Sequence, residues 1–486
     1  MAVNLMVVGT MSSAGKSYIV TGLCRYFTRL GYRVAPFKSQ NMALNSYVTR
    51  DGLEMGRAQV VQAMACGKEP DVNMNPILLK PTCDVGSQVI VEGKAIGNMK
   101  AVEYFKFKPS LIPNIKSAYD KLAKDNDIII IEGAGSPAEI NLRENDIVNM
   151  GLAEILDAPV VLVGDIDPGG VFAQLYGTVK LLNEKEQERI KGLIINKFRG
   201  DVSLLEPGLK ILEEKCQKKV LGVVPMSQAK IQEEDSITSA FNKTVNKDSL
   251  VDIAVIKLPR ISNFTDFDVF SIMEGVNLRY VENPLELGRC DLIILPGTKN
   301  SISDLRWLKE NGLFDSIKGM ANYIPIVGIC GGYQMLGNYI ADELEIEGQA
   351  KNKTNSEEGF GFINMNTVFE EEKKLTQVEG TIHATGIFES INGLPYKGYE
   401  IHNGRSEILN QSHQSKNIFG TYVHGIFDQP KIAETLVSAL AKAKGLDYSF
   451  AQIENLEDYQ NSQFDIIADQ LEAGLNMELL KEIMGL

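Results

Sequence analysis

The sequence predicts an α/β protein with two domains, the first built on a doubly wound, mostly parallel sheet and the second on a further α/β sheet. In the first half, short apolar segments alternate with helical patterns, which is typical of parallel strands covered by helices on both faces. A polar stretch from Met226 to Leu250 then precedes a new strand pattern that begins at Val251. With 486 residues, the chain has room for about two to four domains.

The first strand is predicted over Asn4–Gly9, and the glycine-rich loop GTMSSAGKS and a helical pattern that stops at Gly31 follow it. These are the parts of a phosphate-binding P-loop, in which backbone N–H groups cradle phosphate oxygens. Lys16 supplies a positive charge to such a loop, and Ser17 is placed to ligate magnesium. We therefore expect ATP to bind here, at Gly9, Thr10, Gly15, Lys16 and Ser17.

Further strands and helices are predicted along the first half from the same apolar patterns. Helices are expected at Ser110–Lys124 and Val171–Leu182, between strands. In a doubly wound sheet, ligands bind at the carboxyl ends of the strands. The polar residues at those ends are therefore the candidates for a binding site. The predicted strands are Tyr32–Phe37, Val89–Glu92, Asp127–Ile131, Val160–Gly164, Gly192–Asn196 and Val220–Val224.

Polar side chains stand at the ends of several of these strands. Glu132 follows a run of isoleucines, where a carboxylate is typical of a magnesium ligand. Lys38 follows the second strand and is expected to bind the nucleotide, and Asn196 is expected to contact its adenine edge. Asp165 and Asp167 end a further strand. A single residue of this kind is as often a solvated loop charge, but their recurrence favours a binding site.

Two other polar residues, Glu54 and Arg57, are predicted to open a helix and to contact the substrate. The first half of the chain contains no histidine that could act as a catalytic base. Lysines, carboxylates and a metal ion must therefore carry the chemistry of this half, which suits phosphoryl transfer. All histidines lie in the last quarter of the chain: His383, His402, His413 and His424.

In the second half, strands are predicted at Val251–Leu258 and Asp291–Leu295, and the latter ends in a turn at Gly297. Gly297 is a candidate for an oxyanion N–H. A β-rich segment is expected over Gly359–Ile426. The last predicted elements are the amphipathic helices Ile432–Lys444 and Phe464–Ile483.

The segment PIVGICGGYQMLG, residues 325–337, predicts a strand, a sharp turn and a helix, with Cys330 at the turn. The positive end of the helix favours thiolate. Small residues such as Gly332 let a substrate carbonyl approach the N–H groups of an oxyanion hole. A strand that ends in His424 supplies the candidate base. The alternative is a buried structural cysteine, which most lone cysteines are.

Cys330 and His424 together resemble the catalytic pair of class I glutamine amidotransferases. That class places a glutamate two residues after the histidine, where this chain has Ile426. The third member of the triad is therefore missing or supplied from elsewhere, with Asp428 as a candidate. The first half resembles the dethiobiotin synthetase branch of P-loop proteins, because five residues instead of four separate Gly9 from Gly15.

The whole chain is similar to the cobyric acid synthase family in the order and spacing of its motifs: KSQNMALNS, EMGRAQ, GAGSPAEINL, INKFRGD, PGTKNSISDL, GICGGYQMLG, GYEIH and GTYVHGIFD. The resemblance implies an ATP-, Mg²⁺- and glutamine-dependent ligase. Its substrate would be a corrinoid of cobalamin biosynthesis, adenosylcobyrinic acid a,c-diamide, amidated at the b, d, e and g carboxylates. One departure is Pro168, where the family usually has arginine.

From these patterns we expect an ATP-binding amidoligase domain over residues 1–228, a linker over 229–250, an amidotransferase domain over 251–445 and a helical extension over 446–486. Lys38, Arg57 and Lys80 are expected to attract the polycarboxylate substrate. The alternatives are a related amidoligase, such as cobyrinic acid a,c-diamide synthase, and a nucleotide-switched binding protein with an inert amidotransferase domain.

Composition narrows the partners to small molecules. The net charge of −14 and the pI of about 5.0 argue against a nucleic-acid partner. No apolar run approaches the ~20 residues of a membrane span, and the amino terminus has no signal-peptide pattern. The six cysteines show no CxxC pairing, which fits a reducing cytoplasm. Whether the chain forms a homo-oligomer stays open.

Overall fold

A computed structural model describes residues 2–83, 86–227, 229, 231, 249–347, 355–409, 416–446, 448 and 456–486. The greater part of the predicted linker, and His413, lie outside these residues. None of the described helices is long and apolar enough to cross a membrane. The cysteines whose side chains are described are all buried and form no disulfide.

The described strands are β1 Val3–Gly9, β2 Val34–Phe37, β3 Gln40–Met42, β4 Ser46–Val48, β5 Glu54–Gly56, β6 Ile77–Cys83, β7 Gly86–Val91, β8 Lys94–Lys100, β9 Ile128–Glu132, β10 Val160–Asp165, β11 Ile190–Phe198, β12 Lys219–Pro225, β13 Val251–Ile256, β14 Val276–Val281, β15 Leu292–Leu295, β16 Ile326–Ile329, β17 Tyr339–Ala341, β18 Ser356–Glu358, β19 Met365–Thr381, β20 Pro395–Ile408 and β21 Ile418–Thr421.

The described α-helices are α1 Lys16–Arg29, α2 Arg57–Ala65, α3 Ala101–Phe107, α4 Ile112–Asp125, α5 Met150–Ile155, α6 Val171–Leu181, α7 Glu184–Arg189, α8 Glu206–Cys216, α9 Asp268–Ile272, α10 Pro284–Leu287, α11 Ser301–Glu310, α12 Leu313–Met320, α13 Gly331–Met335, α14 Pro430–Ala443, α15 Leu456–Gly474 and α16 Met477–Met484.

The amino-terminal half is organised around a six-stranded parallel sheet with the order β12-β11-β10-β1-β9-β2. Its strands are buried on both faces. In β9, Ile129 and Ile131 belong to one apolar core, whereas Ile128 and Ile130 belong to the core on the opposite face. The predicted doubly wound α/β fold is therefore confirmed.

One predicted strand, Val89–Glu92, lies in a different sheet. It forms part of β7, which pairs antiparallel with β6 and with β8. Only Glu92 and Gly93 separate β7 from β8, and so short a connection permits antiparallel pairing alone. Glu54 likewise does not open a helix: it pairs with Val48 in the β4–β5 hairpin, and α2 begins at Arg57.

The second half contains a five-stranded parallel sheet with the order β14-β13-β15-β16-β21. The long antiparallel pair β19–β20 forms the predicted β-rich segment. Cys330 follows β16, and His424 comes soon after the neighbouring strand β21. Because neighbouring parallel strands end at the same sheet edge, this topology brings the cysteine and the histidine together.

The helices nearest the carboxyl terminus pack on the amino-terminal domain. On α15, Ile467 and Leu471 share an apolar core with Leu23 of α1. Arg25 also pairs with Asp465 at 2.8 Å. The single helix predicted over Phe464–Ile483 is two helices, because the intervening backbone bonds to β12 instead: the N–H of Asn476 donates to the Leu221 carbonyl at 2.7 Å.

Candidate active site

The P-loop follows β1 and turns sharply at Gly15, whose φ of +96° is left-handed. The side-chain amide of Asn196 donates to the Ala14 carbonyl at 3.0 Å. A Cβ atom at Gly15 would lie 2.0 Å from the same Asn196 nitrogen, so only glycine fits there. Asn196 is buried and supports the loop from beneath. The contact of Asn196 with an adenine edge stays a prediction.

The other predicted residues of the loop are held by backbone contacts. The Thr10 N–H donates to the Val163 carbonyl at 2.9 Å. The Lys16 ammonium donates to carbonyls of the surrounding loops, that of Met11 at 3.2 Å and that of Gly135 at 3.3 Å. A Cβ at Gly9 would lie 3.0 Å from the Met11 oxygen. The loop is therefore closely folded around Lys16.

Glu132 is the centre of a buried polar cluster beside this loop. Its Oε1 accepts from Ser17 Oγ and from Lys38 Nζ, each at 2.9 Å, and its Oε2 accepts from Gln62. Ser17, predicted from the P-loop, and Lys38 and Glu132, predicted from strand ends, therefore meet at one point. The sequence analysis missed Gln62, because a glutamine within a helix carries no sequence feature of a binding residue.

The polar residues at the carboxyl ends of β10 and β11 and just beyond them pair with each other. Lys197 donates to Asp165 and to the Ser13 carbonyl, both at 2.7 Å. Asp167 pairs with Arg199 at 3.1 Å. Lys197 thus ties the phosphate-binding loop to the neighbouring strand end.

A cavity of about 1370 Å³ opens over these strand ends. Its volume exceeds the ~300–1,000 Å³ of an ordinary small-molecule pocket, so it has room for more than one ligand. Two wall residues, Pro259 and Arg260, come from the second half of the chain. Polar residues on its wall include Ser13, Lys16, Ser17, Lys38 and Glu132.

Cys330 stands at the turn between β16 and α13 with φ of 51° and ψ of −106°. A side chain with positive φ is strained, and such strain concentrates at functional sites. The Cys330 sulfur lies 3.6 Å from the Ile401 carbonyl oxygen of β20. The side chain is only 7% exposed.

Close packing explains the glycines around this turn. A Cβ at Gly332 would lie 1.9 Å from the Leu295 oxygen, and the Gly332 N–H donates to the Pro296 carbonyl at 3.0 Å. That N–H is therefore engaged with the backbone, and the predicted role of the small residue Gly332 in admitting a substrate carbonyl stays a prediction. A Cβ at Gly297 would lie 3.0 Å from His424 Cε1, so Gly297 lies against the histidine ring as the prediction requires.

His424 has a buried carboxylate partner, Asp266. The His424 Nδ1 lies 2.7 Å from Asp266 Oδ2, and the other carboxylate oxygen accepts from the Gly425 N–H at 3.0 Å. Burial lowers the pKa of His424, but the charges of Asp266 and Cys330 outweigh burial and raise that pKa to about 10. His424 is therefore an imidazolium at neutral pH.

Asp428, the candidate from the sequence, is not the partner of His424. It faces Arg57 across 4.0 Å, and burial raises its pKa to about 7 although Arg57 opposes that shift. Asp266 lies 158 residues before His424, in the segment after β13. Asp266 and Asp268 both lie in the short helical segments between β13 and β14, and no local pattern in the sequence distinguishes between them.

Glu54, Arg57 and Lys80 lie between the two domains. Glu54 pairs with Lys80 at 2.8 Å and with Lys373 of β19 at 2.6 Å. Arg57 packs on the Tyr47 ring. Lys80 and Glu54 are at most 4% exposed and contribute to contacts between the domains, and their role in corrinoid binding stays a prediction.

A second, much smaller cavity of about 40 Å³ adjoins Cys330 and His424. Strand β19 contributes Phe369 and Lys373 to its wall, and Lys80 comes from the amino-terminal half. The cysteine pocket is therefore enclosed by both halves of the chain.

Comparison with known proteins matches both halves. The model of the CobQ/CobB/MinD/ParA nucleotide binding domain matches residues 5–237, and that of the CobB/CobQ-like glutamine amidotransferase domain matches residues 252–432. The cobyric acid synthase of Ruminiclostridium cellulolyticum is 52% identical, with 100% of this chain and 97% of the relative covered. That of Lachnoclostridium phytofermentans is 50% identical, with 100% and 99% covered.

The chain belongs to the cobyric acid synthase family.

As a cobyric acid synthase, the chain is a glutamine-dependent amidoligase of cobalamin biosynthesis. The match to the nucleotide-binding model implies ATP use at the domain that carries the P-loop. The family predicted from the motifs is thus confirmed. Each of the two matched ranges contains one of the parallel sheets. The nucleotide-binding domain and the amidotransferase domain are therefore each built on a sheet of their own.

Proposed function

We propose that this cobyric acid synthase converts the b, d, e and g carboxylates of adenosylcobyrinic acid a,c-diamide to amides, with ATP and glutamine as co-substrates. The observation that carries the proposal is the Cys330–His424–Asp266 group in the same chain as a P-loop cavity. The first group suits release of ammonia from glutamine, and the second suits activation of a carboxylate. We further propose a cytoplasmic enzyme whose partners are small molecules.

In the amidotransferase domain, the Cys330 sulfur attacks the side-chain amide carbon of glutamine, and a tetrahedral intermediate forms. His424, charged because of Asp266, gives its proton to the amide nitrogen, and ammonia leaves as the C–N bond breaks. The remaining thioester is cleaved by water, whose proton neutral His424 accepts. Glutamate departs as its new carboxyl group releases one proton to solvent, and Cys330 and His424 return to the charge states in which they began.

In the amino-terminal domain, a substrate carboxylate oxygen attacks the γ-phosphorus of ATP, and ADP leaves. Lys16 and Lys38 stabilise the charge on the transferring phosphoryl group. Ammonia then attacks the carbonyl carbon of the acyl phosphate, inorganic phosphate leaves, and an amide forms with loss of one proton. Each amidation consumes one ATP and one glutamine.

We propose that Ser17 and Glu132 hold Mg²⁺. Their oxygens lie 2.9 Å apart and are hard ligands of the kind that Mg²⁺ prefers, while phosphate oxygens and water would complete the shell. When bound, the ion neutralises charge on the phosphates. Lys38 donates to the same Glu132 oxygen and therefore lies beside the proposed ion site.

The test is incubation of the protein with ATP, glutamine and one corrinoid at a time, followed by mass spectrometry. Each amidation lowers the mass of the corrinoid by about 1 Da because OH is replaced by NH₂. A parallel reaction with ¹⁵N-amide glutamine gives a product that is heavier by about 1 Da for each nitrogen transferred, and this difference counts the amidations. We expect four amidations of the a,c-diamide. Amidation of cobyrinic acid at a and c instead would assign the chain to the related diamide synthase activity.

A further inference from the structure

The large cavity has six cations on its described wall, and most of them have a partner within the protein. They are Lys16, Lys38, Lys108, Arg143, Lys197 and Arg260. The three lysines at the P-loop and the neighbouring strand ends are engaged as described above. Arg143 donates to Glu186 and Arg260 donates to Asp304, each at 3.1 Å. These charges are therefore at least partly balanced before any ligand binds.

Lys108 lines the cavity without such a partner. Within the part of the chain that the structure describes, its ammonium forms no hydrogen bond and no ion pair. The nitrogen lies 6.0 Å from the centre of the Phe105 ring, at the outer limit of a cation–π contact. Burial lowers the pKa of Lys108, although the charge of Asp146 opposes that shift. A partly desolvated cation without a close partner is a place where an anionic ligand gains binding energy.

Asp146, the acid whose charge acts on Lys108, has its carboxylate bound to backbone N–H groups. Its Oδ1 accepts from the N–H groups of Val148 at 2.8 Å and of Asn149 at 2.9 Å. Its Oδ2 accepts from the Gly151 N–H at 3.0 Å. These donors surround the start of α5. The carboxylate is therefore committed to the backbone and leaves the Lys108 ammonium to a ligand.

Lys108 stands beside the P-loop and not within it. It follows α3, and the Tyr104 hydroxyl of that helix donates to Gln40 Oε1 at 2.6 Å. Gln40 begins β3, two residues after Lys38. The helix before Lys108 is thus joined to the segment that follows the proposed phosphate-binding lysine. A ligand at Lys108 therefore borders the nucleotide site.

Apolar side chains also line this cavity. Met42 and Leu142 belong to its wall although they are 56% and 50% exposed, and Phe105 contributes an aromatic ring. Exposed apolar surface inside a cavity indicates a ligand with an apolar surface of its own. A corrinoid is a broad, mostly apolar ring with carboxylate-bearing side chains at its rim. It therefore matches a wall that combines apolar side chains with an unpaired cation, whereas the triphosphate of ATP does not.

We propose that Lys108 is a substrate-binding residue: its ammonium binds one of the four corrinoid carboxylates that the enzyme amidates, while Met42 and Leu142 contact the ring. The inference rests on the proposed function and names residues that recognise its substrate. Once that carboxylate has become an amide, its charge is gone and the charge-assisted hydrogen bond is lost. Lys108 therefore favours the substrate over the fully amidated product and helps the product to leave.

The test measures the Kd of two corrinoids by equilibrium dialysis, with a non-hydrolysable ATP analogue and Mg²⁺ present and glutamine absent. The two are adenosylcobyrinic acid a,c-diamide and its product after four amidations. Lys108→Gln removes the charge and keeps much of the side chain, whereas Lys108→Arg keeps the charge. Lys106→Gln is the matched control, since Lys106 is exposed on α3 and lies outside the described wall of the cavity.

We expect Lys108→Gln to raise the Kd of the a,c-diamide by about five- to thirtyfold, as for the loss of one charge-assisted hydrogen bond. The Kd of the product should change by less than about twofold, because the product lacks the carboxylate that Lys108 binds. Lys108→Arg should stay within about threefold of the wild type, and Lys106→Gln should match it. In turnover, KM should rise for the a,c-diamide and stay within about twofold for ATP.

Leu142→Ala tests the ring contact separately, with Ile140→Ala as its control. Both residues lie in one short helical turn and are at least half exposed, but Ile140 lies outside the described wall of the cavity. Because substrate and product share the ring, Leu142→Ala should weaken the binding of both corrinoids alike, by about two- to tenfold. Ile140→Ala should weaken neither.

An unchanged Kd of the a,c-diamide in Lys108→Gln would overturn the proposal, as would an equal weakening of substrate and product. A rise in KM for ATP alone would assign Lys108 to the phosphates and overturn it too. Unchanged Kd values in Leu142→Ala would show that the ring contact is wrong. Failure of the wild type to bind or amidate the a,c-diamide would refute the proposed function itself, so the two failures are distinguishable.

Discussion

Asp266 Oδ2 lies 2.7 Å from His424 Nδ1, and this contact completes a triad that the sequence around His424 leaves incomplete. The aspartate comes from the segment after β13, the strand next but one to β16 in the sheet. Its carboxylate also accepts a hydrogen bond from the Gly425 N–H. Asp266 therefore holds both the His424 ring and the backbone of the next residue. Of the two possibilities that the sequence left open, a missing third member or one supplied from elsewhere, the structure shows the second, with Asp266 and not Asp428 as the acid.

Asp266→Asn should lower the pKa of His424 from about 10 towards 6.5. Because the folded-state pKa lies above the ordinary value, the charge of His424 contributes stability that is fully present below about pH 6.5 and lost as the pH rises through about 10. In the variant this loss of stability should shift to lower pH. NMR titration of labelled histidines, of which the chain has four, and urea denaturation across this pH range measure both effects. An unchanged His424 titration would contradict the assignment of Asp266.

Cys330→Ala should lose glutamine-dependent amidation, because the nucleophile that releases ammonia is gone. With high ammonium at mildly alkaline pH, where more of it is free ammonia, the variant should still amidate the corrinoid and consume ATP. The assays are glutamate release and corrinoid mass with each nitrogen source. Cys290→Ala removes another buried cysteine of the same domain and should keep glutamine use. A Cys330→Ala protein that uses glutamine normally would exclude the proposed nucleophile.

Lys16→Ala should abolish corrinoid-dependent ATP consumption, because backbone N–H groups alone do not neutralise the transferring phosphoryl group. Basal glutamine hydrolysis at Cys330 should remain, since that site has its own sheet. ADP release and glutamate release are measured in parallel, with the exposed Lys210→Ala as control. Amidation near the wild-type rate would show that ATP binds elsewhere.

Glu132→Gln should reduce turnover at least about tenfold, the usual cost of disturbing a metal site. The substitution removes the charge that Ser17 and Lys38 share and leaves the side chain nearly the same size. Excess Mg²⁺ should restore part of the activity if Glu132 is a ligand. The measurement is ATP consumption against Mg²⁺ concentration, with the exposed Glu184→Gln for comparison. An unaltered Mg²⁺ dependence would leave Glu132 a structural partner of Lys38.

Leu471→Ala should destabilise the protein by about 2–5 kcal/mol, the usual cost of removing a fully buried leucine side chain. Leu471 packs against Gly22 of α1, where a Cβ would lie 2.5 Å from its Cδ1. Ile466→Ala on the same helix is the control, because Ile466 is 41% exposed. Urea denaturation gives both free energies of unfolding. Equal effects of the two substitutions would show that α15 is not anchored at this contact.

The strands and the strand-end residues of the amino-terminal half were predictable because they depend on local patterns. Four isoleucines before Glu132, or a glycine-rich loop before Lys16, specify both the element and the edge of the sheet where it ends. The meeting of Ser17, Lys38 and Glu132 follows from that topology. Asn196 was placed at the right edge, but its amide supports the loop, a contact that no local pattern shows.

The residues between the domains were not predictable in the same way. Glu54 has the appearance of a substrate-binding acid, yet its partner Lys373 lies 319 residues further along the chain. The burial of the Glu54–Lys373 pair depends on how the two domains pack. The pattern of apolar residues around Glu54 or around Lys373 contains no information about that packing. Asp266 was not predictable for a different reason, because it meets His424 only through the folding of their common domain across 158 residues.

The packing of α15 and α16 on α1 makes the nucleotide-binding unit discontinuous in sequence, with the amidotransferase unit inserted between its parts. During synthesis, the apolar side of α1 stays exposed while more than four hundred further residues are translated. The inserted amidotransferase unit is therefore fully translated before the nucleotide-binding unit is complete. A single cut in the polar stretch after Met226 would therefore not yield two self-sufficient fragments. The carboxyl-terminal fragment would carry away the helices on which the nucleotide-binding fragment depends.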